Sequence, residues 1–127
     1  MSGKKWSQKD IRRLVQQLSS WWLFNSMYMK PDVTLAHVWD TMPLEVRTKI
    51  VIGGLRGFQS MAAERADSSR KTSAHYAKNF PECEDVVDRF AKLAVEDDKA
   101  AAACQKLIDR VELDGLPPEV ATWRPDR

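Results

Sequence analysis

Cysteine is scarce in this 127-residue chain, which carries only Cys83 and Cys104. Both fall at apolar positions of helical patterns, with no further thiols to build a disulfide framework. A disulfide-stapled scaffold is thereby excluded, and the expectation is a reducing, intracellular compartment, the cytoplasm first, with the thiols as small core hydrophobes. Long apolar runs are missing too. None approaches the roughly 20 residues that a transmembrane helix needs, so no transmembrane segment is expected. The Trp21-Trp22-Leu23-Phe24 run is too short for the apolar region of a secretory signal, and no small-residue cleavage site follows it. An excess of charge of one sign is also lacking. A net charge of +2 argues against binding a polyanion through bulk charge alone.

Motifs that carry chemistry are equally sparse. The two histidines, His37 and His75, together with Cys83 and Cys104, do not supply three or four zinc ligands at recognised spacings. No metal site and no cofactor are expected. Gly53, Gly54 and Gly57 stand beside Lys49 and Arg56, but the dinucleotide fingerprint G-x-G-x-x-G and the phosphate-loop ending G-K-[ST] are both absent. Gly53 and Gly57, four residues apart on one helical face, predict instead a close approach of two helices. No G-x-S-x-G nucleophile motif occurs. His37 and Asp40 are spaced to meet on a helix, and Asp97-Asp98 reads as surface charge. Nothing here predicts an enzyme or a small-molecule substrate.

What is present is helical periodicity. Ser7 offers a cap, with Asp10 three residues on, and Ile11, Leu14, Val15, Leu18, Trp21 and Trp22 then follow one face, predicting a helix from Gln8 to Met29 that ends at Lys30-Pro31. Asp32 can cap a short helix with Leu35, Val38, Trp39 and Met42 inward. Pro43 sits where a first-turn proline belongs and opens a third helix with Val46, Ile50, Leu55, Phe58 and Met61 inward. Within it, residues 49–54 also fit a short strand and glycine turn, although the flanking spacing is helical.

Residues 62–78 turn polar around Ser68–Ser73 and read as a loop, one that would suit phosphorylation or simple solvation. A helix restarts near Pro81, with Cys83, Val86, Val87, Phe90, Leu93 and Ala94 on one face. The cluster Glu96-Asp97-Asp98 is a candidate break before Ala101, Cys104, Leu107, Ile108 and Val111, and Gly115 gives a stop. Pro117, Pro118 and Pro125 make residues 116–127 an extended tail, loosely held unless Trp123 docks back. The expected fold is all-α, an irregular bundle of five or six helices forming a single domain over residues 1–115.

Two features bear on function. Residues 1–30 hold six basic side chains (Lys4, Lys5, Lys9, Arg12, Arg13 and Lys30) against Asp10, whereas residues 81–99 hold seven acidic against three basic. The second half of the first helix then carries Trp21, Trp22, Leu23, Phe24, Met27 and Tyr28, large apolar groups on almost every side. A 3.6-residue period turns Leu18, Trp21, Trp22 and either Tyr28 or Met29 toward the core, and Leu23, Phe24 and Met27 toward another side. A helix buried on all sides would satisfy this pattern. So would a partner-binding surface, since Trp, Tyr and Met are enriched at interface cores. The expected function is a non-catalytic helical interaction module, a subunit or adaptor of a larger assembly, with a protein partner or self-association. Nucleic-acid binding through Lys4, Lys5, Lys9, Arg12 and Arg13, with Arg70-Lys71, is the alternative. The basic, aromatic start would also suit a membrane surface or a mitochondrial import segment.

Overall fold

The structure, a computed structural model, describes residues 5–28 and 35–125. Within them the chain is all-α, as the periodicity predicts, and contains no strand. Five helices follow one another: α1 (Gln8–Tyr28), α2 (Leu35–Thr41), α3 (Leu44–Asn79), α4 (Glu84–Asp114) and α5 (Pro118–Ala121). Lys4, Met29, the expected stop at Lys30-Pro31 and the expected cap Asp32 lie outside the described residues.

Local chemistry accounts for the helix ends. The Asp10 N–H donates to Ser7 Oγ at 3.1 Å, so Ser7 satisfies one of the four amide donors that a helix start leaves open. Pro43 stands just before α3, where its carbonyl accepts from Val46 and Arg47. Gly115, at φ +77°, ends α4, and its N–H donates to Val111 O at 2.8 Å, the single-bond left-handed cap that favours glycine.

Several expectations are corrected. Residues 62–78 are not a loop: they are the second half of α3, which runs unbroken for 36 residues. The acidic cluster at 96–98 does not interrupt α4, which runs for 31 residues. Asp97 and Asp98 face Arg65 and Arg70, at 3.3 and 2.8 Å. The tail is not wholly extended, because Pro118–Ala121 forms a turn of helix with Val120 fully buried. Finally, Gly53 and Gly57 make no close approach, since a Cβ at either would meet open space. Gly54 does, for a Cβ there would lie 3.2 Å from the Cβ of Gln17 on α1.

The chain divides into two compact units, and α3 and α4 contribute to both. One comprises residues 1–55 with 107–127. Its core is built from Ile11, Leu14 and Leu18 of α1, Trp39 of α2, Val51 and Leu55 of α3, Leu107, Ile108 and Val111 of α4, and Val120 of α5. The three long helices each contribute several of these residues from one face, as amphipathic patterning requires, and α2 and α5 contribute one each.

The other unit, residues 56–106, is a hairpin of two helices. Gln59 bonds to Gln105, Arg65 pairs with Asp97, Arg70 with Asp98, and Ser73 Oγ donates to Val87 O. Numbers rising on α3 meet numbers falling on α4, so the two run antiparallel. The inner row of α3 is Gln59, Ala62, Ala66, Ser69, Ser73 and Tyr76, and that of α4 is Val87, Phe90, Ala94, Asp97, Ala101 and Cys104. These alternate in steps of three and four, a coiled-coil seam. Phe58 and Met61, expected inward, are exposed because Ala62 takes the inner position.

Candidate interaction surface

The aromatic half of α1 divides into two kinds of residue. Trp21 and Trp22 are half-buried and pack on Trp39 of α2, with ring centroids at 5.7 and 6.1 Å. Trp39 is itself 1% exposed and takes a third ring, Trp123, edge-on at 5.1 Å. Such edge-to-face pairs stabilise beyond the area they bury. The Trp39 indole N–H donates to Trp123 O at 3.1 Å, so the polar atom of the most enclosed ring is satisfied. These two tryptophans of α1 are therefore half-buried against α2, and each keeps part of its surface open.

Leu23, Phe24 and Met27 are placed differently. They are 64%, 62% and 77% exposed and share one side of α1, at spacings of one, three and four residues. The polar residues among them turn back onto their own helix. Asn25 Nδ2 donates to Trp21 O and Ser26 Oγ to Leu23 O, each at 2.8 Å. Such local bonds satisfy the polar side chains without reaching across the apolar ones. The side chain of Tyr28 lies outside the described residues.

The basic residues of the alternative reading sit at the other end of α1. Lys5, Lys9 and Arg12 are exposed and Arg13 is half-buried. Close by in sequence, Trp6 is covered by the Arg110 guanidinium, 3.7 Å above its ring. A cation–π contact of this kind ties the residues before α1 to α4. Arg70 and Lys71, expected to add to a basic patch, lie on α3. Arg70 is engaged with Asp67 at 3.1 Å and Asp98 at 2.8 Å. The bond to Asp67, with Asp98 adding its charge and a second bond, raises the Arg70 guanidinium above its ordinary value.

Reactive geometry is thin. Asp40, spaced to meet His37, pairs instead with Arg124 at 3.0 Å. The His75 ring accepts from the Asn79 amide and meets the rings of Tyr76 and Phe80 edge-on. Cys83 is half-buried, Cys104 is buried, and neither is in a disulfide. Among the described residues no three His, Cys, Asp or Glu side chains converge on a point that could hold a metal ion. The groove along Glu64, Asp67, Ser68, Lys71, Thr72 and His75 is lined by α3 alone and is open rather than enclosed.

Sequence reasoning missed Arg47. Its guanidinium donates to Trp39 O and Ala121 O, both at 3.0 Å, and so clasps α5 onto α2. Nothing in the spacing of Arg47 marks it, because its partners are backbone carbonyls 8 and 74 residues away. Comparison of the chain with protein-family models, curated proteins and solved structures finds no match.

Proposed function

We propose that the protein is a non-catalytic helical interaction module, a subunit or adaptor of a larger assembly, which binds a protein partner through the aromatic half of α1. The observation that carries this reading is the grouped exposure of Leu23, Phe24 and Met27 beside the packed Trp21 and Trp22. Burying one such side chain fully is worth about 1.5–3 kcal/mol, so covering all three supplies several kcal/mol toward association. Contiguous apolar surface of this kind marks interaction sites on soluble domains more often than it stays bare. The reading assigns no catalytic residue, metal or cofactor. Two cysteines outside any disulfide fit a reducing, intracellular setting.

The alternative is nucleic-acid binding through Lys5, Lys9, Arg12 and Arg13, with Lys4 outside the described residues. Salt separates the two. Phosphate contacts release counterions, so affinity falls steeply as salt rises, whereas an apolar protein interface responds little. Capture of partners from native lysate, with and without nuclease and at low and moderate salt, is the experiment. The proposal expects capture that survives both nuclease and salt. Loss under either treatment would assign the function to the basic residues instead.

A further inference from the structure

We propose that the C-terminal strap, residues 116–125, gates the α1 surface. Seated, it holds Trp39 so that the second half of α1 is helical; lifted, it lets that half and its apolar patch come apart. The gating rests on the reading of the patch as a binding surface, whereas the coupling behind it rests on the contacts around Trp39.

The second half of α1 has little helical tendency of its own. Trp21, Trp22, Phe24, Asn25 and Ser26 are all weaker helix formers than the Leu23 and Met27 among them. No basic side chain stands in the last turn to offset the helix dipole. The buried residues of α1 are Ile11, Leu14 and Leu18, all at or before its midpoint. Beyond them Trp21 and Trp22 tie the helix down, and both rings meet Trp39. Tertiary packing, more than propensity, therefore keeps Leu23, Phe24 and Met27 at helical spacing on a common side.

Trp39 is in turn placed from outside its own helix. With seven residues, α2 is shorter than the ~12 that let a helix stand alone in water. The strap supplies one wall of its enclosure. Trp123 packs on the Trp39 ring at 5.1 Å, and its carbonyl accepts the Trp39 indole N–H at 3.1 Å. α5 itself lies against α1. The strap is anchored around the same point: Pro117 and Val120 are fully enclosed, Arg47 donates to Ala121 O, and Arg124 pairs with Asp40 of α2.

Lifting the strap takes a ring, an acceptor and a wall from Trp39 at once. The seat of Trp21 and Trp22 loosens with it, and the poor helix formers above that seat lose what keeps them helical. The attachment of the strap makes it the part that moves. It leaves α4 through Gly115, at φ +77°, where a side chain would find open space. Its outermost anchor, the Arg124–Asp40 pair, is 38% and 49% exposed, and pairs so open to water hold weakly. Segments that switch are drawn from the weakly held parts of a structure. Coupling of this kind is reciprocal: a partner that grips the patch seats the strap, and whatever draws the strap away weakens the partner.

The test uses the full chain and reads helicity residue by residue from Cα chemical shifts. Trp123→Ala should lose most of the helical shift over residues 21–28 and keep it over 8–18, and Trp123→Phe should restore it. A chain that is merely less stable, yet folded, would keep both. To cover a Trp123→Ala chain that fails to fold, Arg124→Ala removes only the surface anchor. It should speed hydrogen exchange of amides 22–28 and leave amides 11–18 as in wild type. The same chains, immobilised in native lysate, are compared for the band that wild type captures. Trp123→Ala should capture it about tenfold less or weaker still, inside the usual range of such couplings, and Trp123→Phe should recover it. Helical shifts over 21–28 that survive Trp123→Ala overturn the proposal. So does exchange that Arg124→Ala speeds equally in both halves of α1, or capture that persists after the shifts are lost. Phe24→Ser with Met27→Ser separates the two readings, because it should lose the band while keeping the shifts over 21–28. If that variant still captures, the reading of the patch fails and takes the gating with it, whatever the shifts show.

Discussion

The Arg47 guanidinium lies over the ring of Trp39, its central carbon 4.5 Å from the ring centroid, while the same group donates to the carbonyl of Trp39. One side chain of α3 thus holds a ring of α2 from above and its backbone from the side, and with its other nitrogen reaches Ala121 of α5. A planar, forked cation suits this arrangement and a point charge does not. Arg47→Lys should therefore destabilise the protein nearly as much as Arg47→Ala, each by about 2–4 kcal/mol from the lost charged hydrogen bonds and cation–π contact. Urea unfolding of the three proteins measures it. A lysine variant as stable as wild type would mean that the positive charge alone suffices.

Truncation after Asp114 should be costly for the same reason. It removes the fully buried Val120 and Pro117, and uncovers the edge of Trp39 against which Trp123 packs. The expected loss is about 3–5 kcal/mol, the range for deleting large buried side chains, and thermal unfolding should show a fall of ten degrees or more for a domain of this size. A shift of only a few degrees would return residues 116–125 to the loose tail that the prolines predict.

The glycines of α3 separate by environment. Gly53 and Gly57 are helical, exposed and face open space, so alanine at either should stabilise by about 0.5–1 kcal/mol through its better helix propensity. Gly54→Ala should do the reverse, because its methyl would press on the Gln17 side chain. Opposite signs at neighbouring positions of one helix are the expected outcome of chemical denaturation, and a uniform gain would show that Gln17 moves aside freely.

Those glycines also show what a sequence discloses and what it does not. Periodicity located α1 well because its inner residues, Ile11, Leu14 and Leu18, are large and leave a wide polar face. The division of its second half into packed tryptophans and exposed Leu23, Phe24 and Met27 followed from helical angle alone. The second half of α3 hid because its inner row is Ala62, Ala66, Ser69 and Ser73, residues too small or too polar to stand out from the solvent side. Ser73 faces inward yet spends its hydroxyl on a carbonyl of the other helix, which composition reads as a loop. Glu96-Asp97-Asp98 looked like a break for a related reason. Its charges are answered by Arg65 and Arg70 from across the hairpin, a partnership between residues about thirty positions apart. The Arg47 clasp left no local trace at all.

The thiols should react unequally. Cys104 is fully buried in the seam of α4, and Cys83 is half-buried just ahead of it in the chain. Titration with a thiol reagent should find two free thiols in denaturant. In the native protein one should react slowly, on the timescale of opening, and the other should react faster. Replacing Cys83 by serine should remove the faster phase. Equal rates, or fewer than two thiols after unfolding, would contradict the placement.

The claim that matters most is that Leu23, Phe24 and Met27 form a binding surface and not a piece of core. The most direct measurement compares partner capture and thermal unfolding for wild type and for Phe24→Ser with Met27→Ser, beside an Arg12→Ala with Arg13→Ala control. With side chains this exposed, the double serine variant should keep its helicity and melt within a few degrees of wild type, while losing its partner at least tenfold, the equivalent of about 1.4 kcal/mol. The arginine control should bind as wild type does. A double serine variant that unfolds would place these residues in the core, and one that folds and still binds would put the interface elsewhere.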